Sequence, residues 1–452
     1  MSLTEDEPQA VATAPIRLLN RATCPHCWET FPPEQVLWIS EHVELLGDPM
    51  LGPEQQQRFL PSRFTVDGDA IDAQGMTCRS LACPHCHLAI PRALLEMEPL
   101  FFSILGGPAS GKSYFLTTLT WQLRQVLPLH FHVAFTDADP TANRILNAWE
   151  ESLFLNPDED RLIPLGHLIR KTELQGELYD TVAHGQQTVT YPRPFLFTIR
   201  PQKGHSHADS PRLARMLCLY DNAGEHFQPG QDTASSPVTR HLARSRAVLF
   251  LFDPTQDPRF RAACRSSGEW GVESEERDGT ILPASRSPLP VAPAGRLSRQ
   301  ETILNEAAAR IRRHAGLPST APYDRPLIVV LSKLDEWNHL LDTDRGGDPW
   351  RTQANITGVD MDRIVHLSGL LRRILLHYCP ETVAAAEAFA RDVTYIAVSS
   401  LGPNIRRDPV SGLPAIRPAE IQPSWVTAPL LYAISRDSSR LIPRFVKRTK
   451  SG

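Results

Sequence analysis

Residues 106 to 113 read GGPASGKS, with the spacing G-x-x-x-x-G-K-S. Glycines here let successive backbone N–H groups converge on an anion, and a helix starting at Lys112 adds the positive end of its dipole. The chemistry this suits is a nucleotide triphosphate. Lys112 reaches the β- and γ-phosphate oxygens, and the Ser113 hydroxyl binds Mg2+. Gly106, Pro108, Ala109, Ser110, Gly111, Lys112, Ser113 and Tyr114 are the candidate contacts.

Two further stretches place carboxylates after apolar runs. In MLCLYDNAGEHF (216–227) Asp221 and Gly224 form D-x-x-G. The aspartate suits the Mg2+ shell and the Gly224 N–H suits a γ-phosphate. In IVVLSKLDEW (328–337) the run is Ser332-Lys333-Leu334-Asp335. Guanine offers N1–H and N2–H2 as adjacent donors, and an ionised Asp335 accepts both. Adenine lacks that pair and would leave a buried carboxylate unsatisfied, a penalty of ~1–3 kcal/mol or more. The Lys333 stem would lie over the purine plane. After the final apolar run, backbone N–H groups around Ser399 and Ser400 in AVSSLGPN (397–404) are candidates for the guanine O6.

A different chemistry is written near the start. Cys24 and Cys27 sit in one CPHC turn, Cys83 and Cys86 in another. Each turn presents two thiolates, and the four suit one tetrahedral Zn2+ in a closed, structural site. Cys78 is a fifth thiol, and His26, His85 or His87 could substitute as ligands. Five of the eight cysteines lie in the first 90 residues, which points to metal rather than a disulfide framework.

The elements that must position these groups follow from hydropathy. Short apolar runs alternate with helical patterns from Leu100 onward: 100–105, 195–199, 216–220, 247–252, 327–331 and 393–398. This predicts an α/β sheet flanked by helices, with central strands covered on both faces. The run at 195–199 follows Pro192 and Pro194, which suits an edge strand. Phe115, Leu119, Leu123 and Val126 share one face of a helix expected over 112–127. The chain divides into a disordered leader (1–20), a zinc-ribbon-like unit (21–98), an α/β domain (99–440) with a mobile insertion at 254–298, and a basic, solvated tail (441–452).

The 452 residues carry a formal charge of −4 and are 41% apolar. That length suits two or three domains, and the charge gives no reason to expect nucleic acid. No apolar run approaches the length of a membrane span, and the acidic start lacks the apolar core of a secretion signal, so a cytoplasmic location is expected.

The order of G-x-x-x-x-G-K-S, D-x-x-G, K-x-D and S-S-L resembles the translation-factor-related (TRAFAC) GTPases over roughly residues 99 to 440. KTEL (171–174), YDNAGE (220–225), LFDPT (251–255) and PSWVTAPLLYAI (423–434) look like the double-GTPase type 2 domain of bacterial conflict systems. The resemblance implies a Ras-like P-loop GTPase fold, a GTP/GDP switch with Mg2+, and protein partners or effectors. It also implies a Mg2+-binding threonine in the first switch, for which Thr172 is the candidate and Thr136, Thr188 and Thr190 the alternatives. This chain departs from the pattern twice. Ser332 stands where the family has Asn, which keeps an ATPase or P-loop kinase in view. Glu225 stands where Ras-like members carry a water-orienting Gln; beside a γ-phosphate a carboxylate suffers repulsion, so slow turnover or a non-hydrolysing scaffold is the expectation.

Overall fold

The apolar runs become strands of one sheet. A computed structural model of the chain describes residues 17–169, 178–221, 240–266, 299–341 and 347–446. Its central sheet has seven strands: β1 (Glu98–Gly106), β2 (Val133–Asp137), β3 (Phe195–Pro201), β4 (Arg215–Asp221), β5 (Ala247–Phe252), β6 (Leu327–Leu331) and β7 (Val393–Ala397). Their spatial order is β2-β3-β4-β1-β5-β6-β7. The five from β4 to β7 are mutually parallel, and β3 runs antiparallel to both of its neighbours. The fold is therefore mixed α/β.

The run at 195–199 is not an edge strand. Val133–Asp137, from the long stretch after the first helix, pairs outside it, Phe135 opposite Ile199. Pro192 and Pro194 precede Phe195 and so remove no donor from the β3 ladder.

Alternation along the strands assigns the two faces. Leu100, Phe102 and Ile104 of β1, Leu217 and Leu219 of β4, and Leu249 and Leu251 of β5 point to one core. Helices α1 (Lys112–Val126) and α9 (Ala428–Asp437) pack there, with Phe115, Leu119, Leu123 and Val126 all buried as the helical spacing predicts. On the opposite face, Val248, Phe250, Val329 and Leu331 meet α5 (Gln300–His314) and α8 (Pro380–Phe389).

The remaining part of that second face is covered mainly by the cysteine-bearing unit, with His241 of the short helix Arg240–Arg244 stacked on Tyr220. Phe101, Leu196, Met216, Cys218 and Tyr220 share a core with Cys24, Cys27, Trp28, Phe31, Leu88 and Ile90. The cysteine-bearing unit is thus a layer of the sheet domain rather than an appended module.

Two expected boundaries are corrected. Residues 254–266 of the insertion are folded: a turn at Pro254–Gln256 leads into α4 (Pro258–Ser266), whose Phe260 is fully buried against Trp337 and Tyr378. Residues 267–298 lie outside the described part. Residues 441–446 are not a solvated tail, because Leu441 and Ile442 are buried and Arg444–Phe445 pairs with the strand Ile356–Asp360. Of the leader, Leu19 is already tied to the fold, its N–H donating to Leu95 O at 2.7 Å. Among the described residues no helix is long and apolar enough to cross a membrane.

Candidate functional site

In a parallel sheet a ligand site forms beyond the carboxyl ends of the strands, where the strand order reverses. Here the reversal is at β1, which has β4 on one side and β5 on the other. The glycine-rich loop leaves β1 at this point. Asp221 ends β4, Asp253 follows β5, Ser332 and Lys333 follow β6, and Ser399 follows β7 by two residues. One topological rule therefore brings together candidates drawn from nearly 300 residues of sequence.

Gly106 is required by a close approach, since a Cβ there would lie 2.5 Å from Leu251 O of β5. Gly111 caps α1 in the left-handed region (φ 88°), and Ala109 is also left-handed (φ 58°). Ser110 Oγ donates to Gly107 O at 2.8 Å, while Lys112 Nζ donates to Gly106 O and Gly107 O, both at 3.0 Å. The Lys112 ammonium is thus held over the loop it would share with an anion. Ser113 Oγ donates to Asp221 Oδ2 at 2.9 Å, so the two proposed Mg2+ ligands adjoin. The Tyr114 side chain turns away from the loop, its hydroxyl bonded to Leu165 O at 2.5 Å, and burial raises its pKa.

At the β6 end Ser332 is buried, and its hydroxyl reaches Phe252 O only at 3.4 Å. Lys333 occupies the left-handed region (φ 54°) and pairs with Asp253, Nζ to Oδ2 2.7 Å. Burial pulls the Lys333 pKa down, but the carboxylates of Asp253, Glu336 and Asp335 together outweigh it and hold the ammonium above its ordinary range. Asp335 lies in the short helix α6 (Leu334–Trp337), and burial raises its pKa. It accepts a hydrogen bond from the Ser399 hydroxyl.

Ser399 therefore meets Asp335 through its side chain. Its N–H donates to Ser424 O at 3.0 Å and is committed there, which corrects the expectation that it faces a base oxygen. Ser400 is the remaining amide candidate. Thr136 is bonded to Thr198 within the sheet, and Thr188 and Thr190 lie in the strand Gln187–Pro192. Thr172, Gly224 and Glu225 fall outside the described residues.

Residue typing missed Asp253, Gln256 and Gln300. Asp253 is fully buried, Gln256 Nε2 donates to Pro108 O at 3.2 Å, and the Gln300 side chain packs on Gly107. The available signal was LFDPT, an aspartate directly after an apolar strand, as Asp221 is.

The four cysteines form a second centre. Cys24, Cys27, Cys83 and Cys86 are buried, with their sulfurs mutually within 4.8 Å. Cys24 and Cys86 Sγ are 3.8 Å apart, and Cys27 and Cys83 Sγ are 3.7 Å apart. A tetrahedral site with Zn–S near 2.3 Å requires about 3.8 Å between sulfurs, so the geometry fits zinc. The two turns are near copies. The His26 N–H points at Cys24 Sγ and the His85 N–H at Cys83 Sγ, each at 3.3 Å, and Trp28 and His87 occupy equivalent left-handed positions. Such N–H groups stabilise thiolates.

None of the alternative ligands joins the cysteine cluster among the described residues. His26 Nε2 bonds Ala89 O, His87 Nδ1 bonds Asp48 at 2.7 Å, and the His85 ring lies edge-on to Phe31. Cys78 is a buried thiol donating to Asp72 Oδ2 at 3.7 Å.

Comparison with known proteins adds one partial likeness. No protein-family model matches the chain. A Mycolicibacterium smegmatis protein, provisionally named as the ESX-1 scaffolding and assembly protein SaeC, is 27% identical over 173 residues. The match covers 38% of this chain and 37% of the relative, so this chain spans little more than a third of that protein.

Proposed function

We propose that the chain is a Mg2+-dependent GTP switch of the Ras-like P-loop kind, resembling the double-GTPase type 2 domain of bacterial conflict systems. In this reading it hydrolyses GTP slowly without a partner, and its zinc ribbon recruits protein partners or effectors. The observation that carries the reading is the convergence of the Gly106–Ser113 loop, Asp221 and Asp335 beyond the carboxyl ends of adjacent parallel strands.

The loop amides and Lys112 bind the phosphates, and Lys112 exchanges the carbonyls of Gly106 and Gly107 for phosphate oxygens. Ser113 and Asp221, joined by Thr172, would hold Mg2+, which neutralises phosphate charge when bound. Asp335 takes the guanine donors, with Ser399 steadying its carboxylate and Lys333 flanking the purine. Gly224 meets the γ-phosphate and Glu225 orients water. The four cysteines would hold Zn2+ in a structural role.

The test is equilibrium binding with labelled GTP. Excess ATP is expected to compete poorly, Asp335→Ala to abolish the preference, and Lys112→Ala to remove triphosphate binding. Equal competition by ATP would overturn the guanine assignment. A non-hydrolysing, nucleotide-dependent scaffold is the second reading, favoured by the name of the mycobacterial relative and by Glu225 at the water-orienting position. Single-turnover phosphate release separates the two. Cleavage that vanishes in Lys112→Ala protein supports the enzyme, and its absence even with protein partners supports the scaffold.

A further inference from the structure

We propose that Asp253 is the positioning residue for Lys333, tying the base end of the site to the phosphate loop; this rests on the GTP reading above. Asp253 is fully buried and sits where β5 ends, between the β1 loop and the β6 end. Every polar atom of the residue has a partner. Oδ2 pairs with Lys333 Nζ at 2.7 Å and accepts from Gln256 Nε2 at 3.2 Å. Oδ1 accepts from the Thr255 N–H at 3.0 Å and the Thr255 hydroxyl at 2.6 Å. The Asp253 N–H donates to Gln300 Oε1 at 2.9 Å, and its C=O accepts from Gln300 Nε2 at 2.8 Å.

Those partners reach the phosphate loop. Gln256 Nε2 also donates to Pro108 O, and Gln300 packs so closely on Gly107 that a Cβ there would lie 3.3 Å from Gln300 Cγ. Asp253 thus joins three strand ends through side chains from both flanks of the 254–298 insertion.

Two arguments make this positioning rather than packing. A buried carboxylate is costly unless a cation compensates it, and an asparagine could keep much of the Thr255 contact without a charge. The charge is needed only by Lys333. Lys333 is also a non-glycine residue in the left-handed region, a conformation that persists where surrounding contacts over-determine it. Ser332 is too short to supply the bridge, since its hydroxyl reaches no farther than Phe252 O.

The experiment compares GTP, ATP and inorganic triphosphate, each with Mg2+, binding to the full chain by calorimetry. Asp253→Asn is expected to weaken GTP by about 10- to 100-fold, the range for one charge-assisted hydrogen bond, and triphosphate by less than about twofold. Asp253→Asn combined with Lys333→Met is expected to bind GTP no worse than Lys333→Met alone. Equal losses for GTP and triphosphate, independent losses in the double variant, or unchanged GTP affinity would each overturn the assignment. If Asp253→Asn does not fold, Thr255→Val, which removes the hydroxyl bond to Asp253 Oδ1 and leaves its charge, is expected to show a smaller loss confined to GTP; an equal loss for triphosphate overturns the assignment. Wild-type protein that does not favour GTP over ATP overturns the guanine reading and this role together. Wild-type preference that survives Asp253→Asn overturns this role alone.

Discussion

Removing a single oxygen from Tyr220 tests whether the cysteine unit and the sheet are one cooperative body. The Tyr220 hydroxyl donates to Pro25 O at 2.5 Å and accepts from Trp28 Nε1 at 3.1 Å. Both partners belong to the CPHC turn, and both are buried. The ring stacks on His241 at 4.4 Å and 12°, a contact that Tyr220→Phe preserves. The substitution therefore isolates two hydrogen bonds and leaves a buried carbonyl and a buried indole N–H unpaired. At about 1–3 kcal/mol for each orphaned group, the expected loss is about 2–6 kcal/mol. With a urea slope near ~3 kcal/mol per molar, the unfolding midpoint should fall by about 0.7–2 M. Unfolding is followed by tryptophan fluorescence and, separately, by zinc appearing in a chromogenic chelator. The shared core requires the two probes to move together, in wild type and variant alike. Zinc released well before the sheet unfolds in the wild type would refute the single-body reasoning, as would a midpoint shift worth under about 0.5 kcal/mol.

Three further expectations follow from individual contacts. Purified protein should carry one zinc per chain; Cys83→Ser should lose it, while Cys78→Ser and His87→Gln retain it, as measured by elemental analysis. Because a structural zinc contributes on the order of 10 kcal/mol to folding, chelation should also lower the stability of the cysteine unit and the sheet together. Gly106→Ala should weaken triphosphate binding and lower the thermal midpoint, because the new methyl meets Leu251 O, and overpacking of this kind costs about 1–3 kcal/mol. His205 gives a pH signature. Burial pulls its pKa below 6.5, helped by His207 and His132 nearby; its Nδ1 accepts from the His207 N–H, and its Nε2 faces Leu441 O. The unfolded chain takes up this proton near pH ~6.5 and the folded chain only at lower pH. Between those values the unfolded state binds more protons, so this contribution is intact above about 6.5 and declines as pH falls below it. His205→Asn should flatten that slope in denaturant midpoints measured across the window; an unchanged slope would refute the assignment.

What was legible in the sequence was what is local. The two CPHC turns need only a few neighbouring residues to state their chemistry, and their four cysteines meet. Apolar runs of five or six residues likewise betray the covered strands. Val133–Asp137 escaped because it is short, ends in Thr-Asp, and lies at the sheet margin, where burial no longer demands a continuous apolar run. Asp253 escaped because the partners that tie it to the other strand ends are far away in sequence: Gln300 is 47 residues on, and Lys333 is brought near only by the β5–β6 pairing. The motif at Ser399 does not reveal that its amide is taken by Ser424 while its hydroxyl meets Asp335.

The same limitation hid the relation between the two centres. Nothing in CPHC says that its proline carbonyl will be gripped by Tyr220, 195 residues later. Yet Tyr220 immediately precedes Asp221, and its stacking partner His241 stands just beyond residue 239, so the two rings bracket the segment that contains Gly224 and Glu225. His241 in turn bonds Ser103 at 2.5 Å, on the strand that runs into Gly106. The cysteine unit thus contacts Tyr220 and, through Trp28, His241, the residues that flank 222–239, and His241 bonds the strand leading to the glycine-rich loop. Because Tyr220 adjoins Asp221, a displacement of Asp221 is expected to be felt at the Trp28–Tyr220 contact. Linkage makes that relation reciprocal. If triphosphate shifts Asp221, zinc should leave the nucleotide-bound protein at a different rate from the free protein. Tyr220→Phe should erase that difference while leaving the four sulfurs in place. Equal release rates with and without bound triphosphate in the wild type would show that the two centres share a core without sharing a conformational equilibrium.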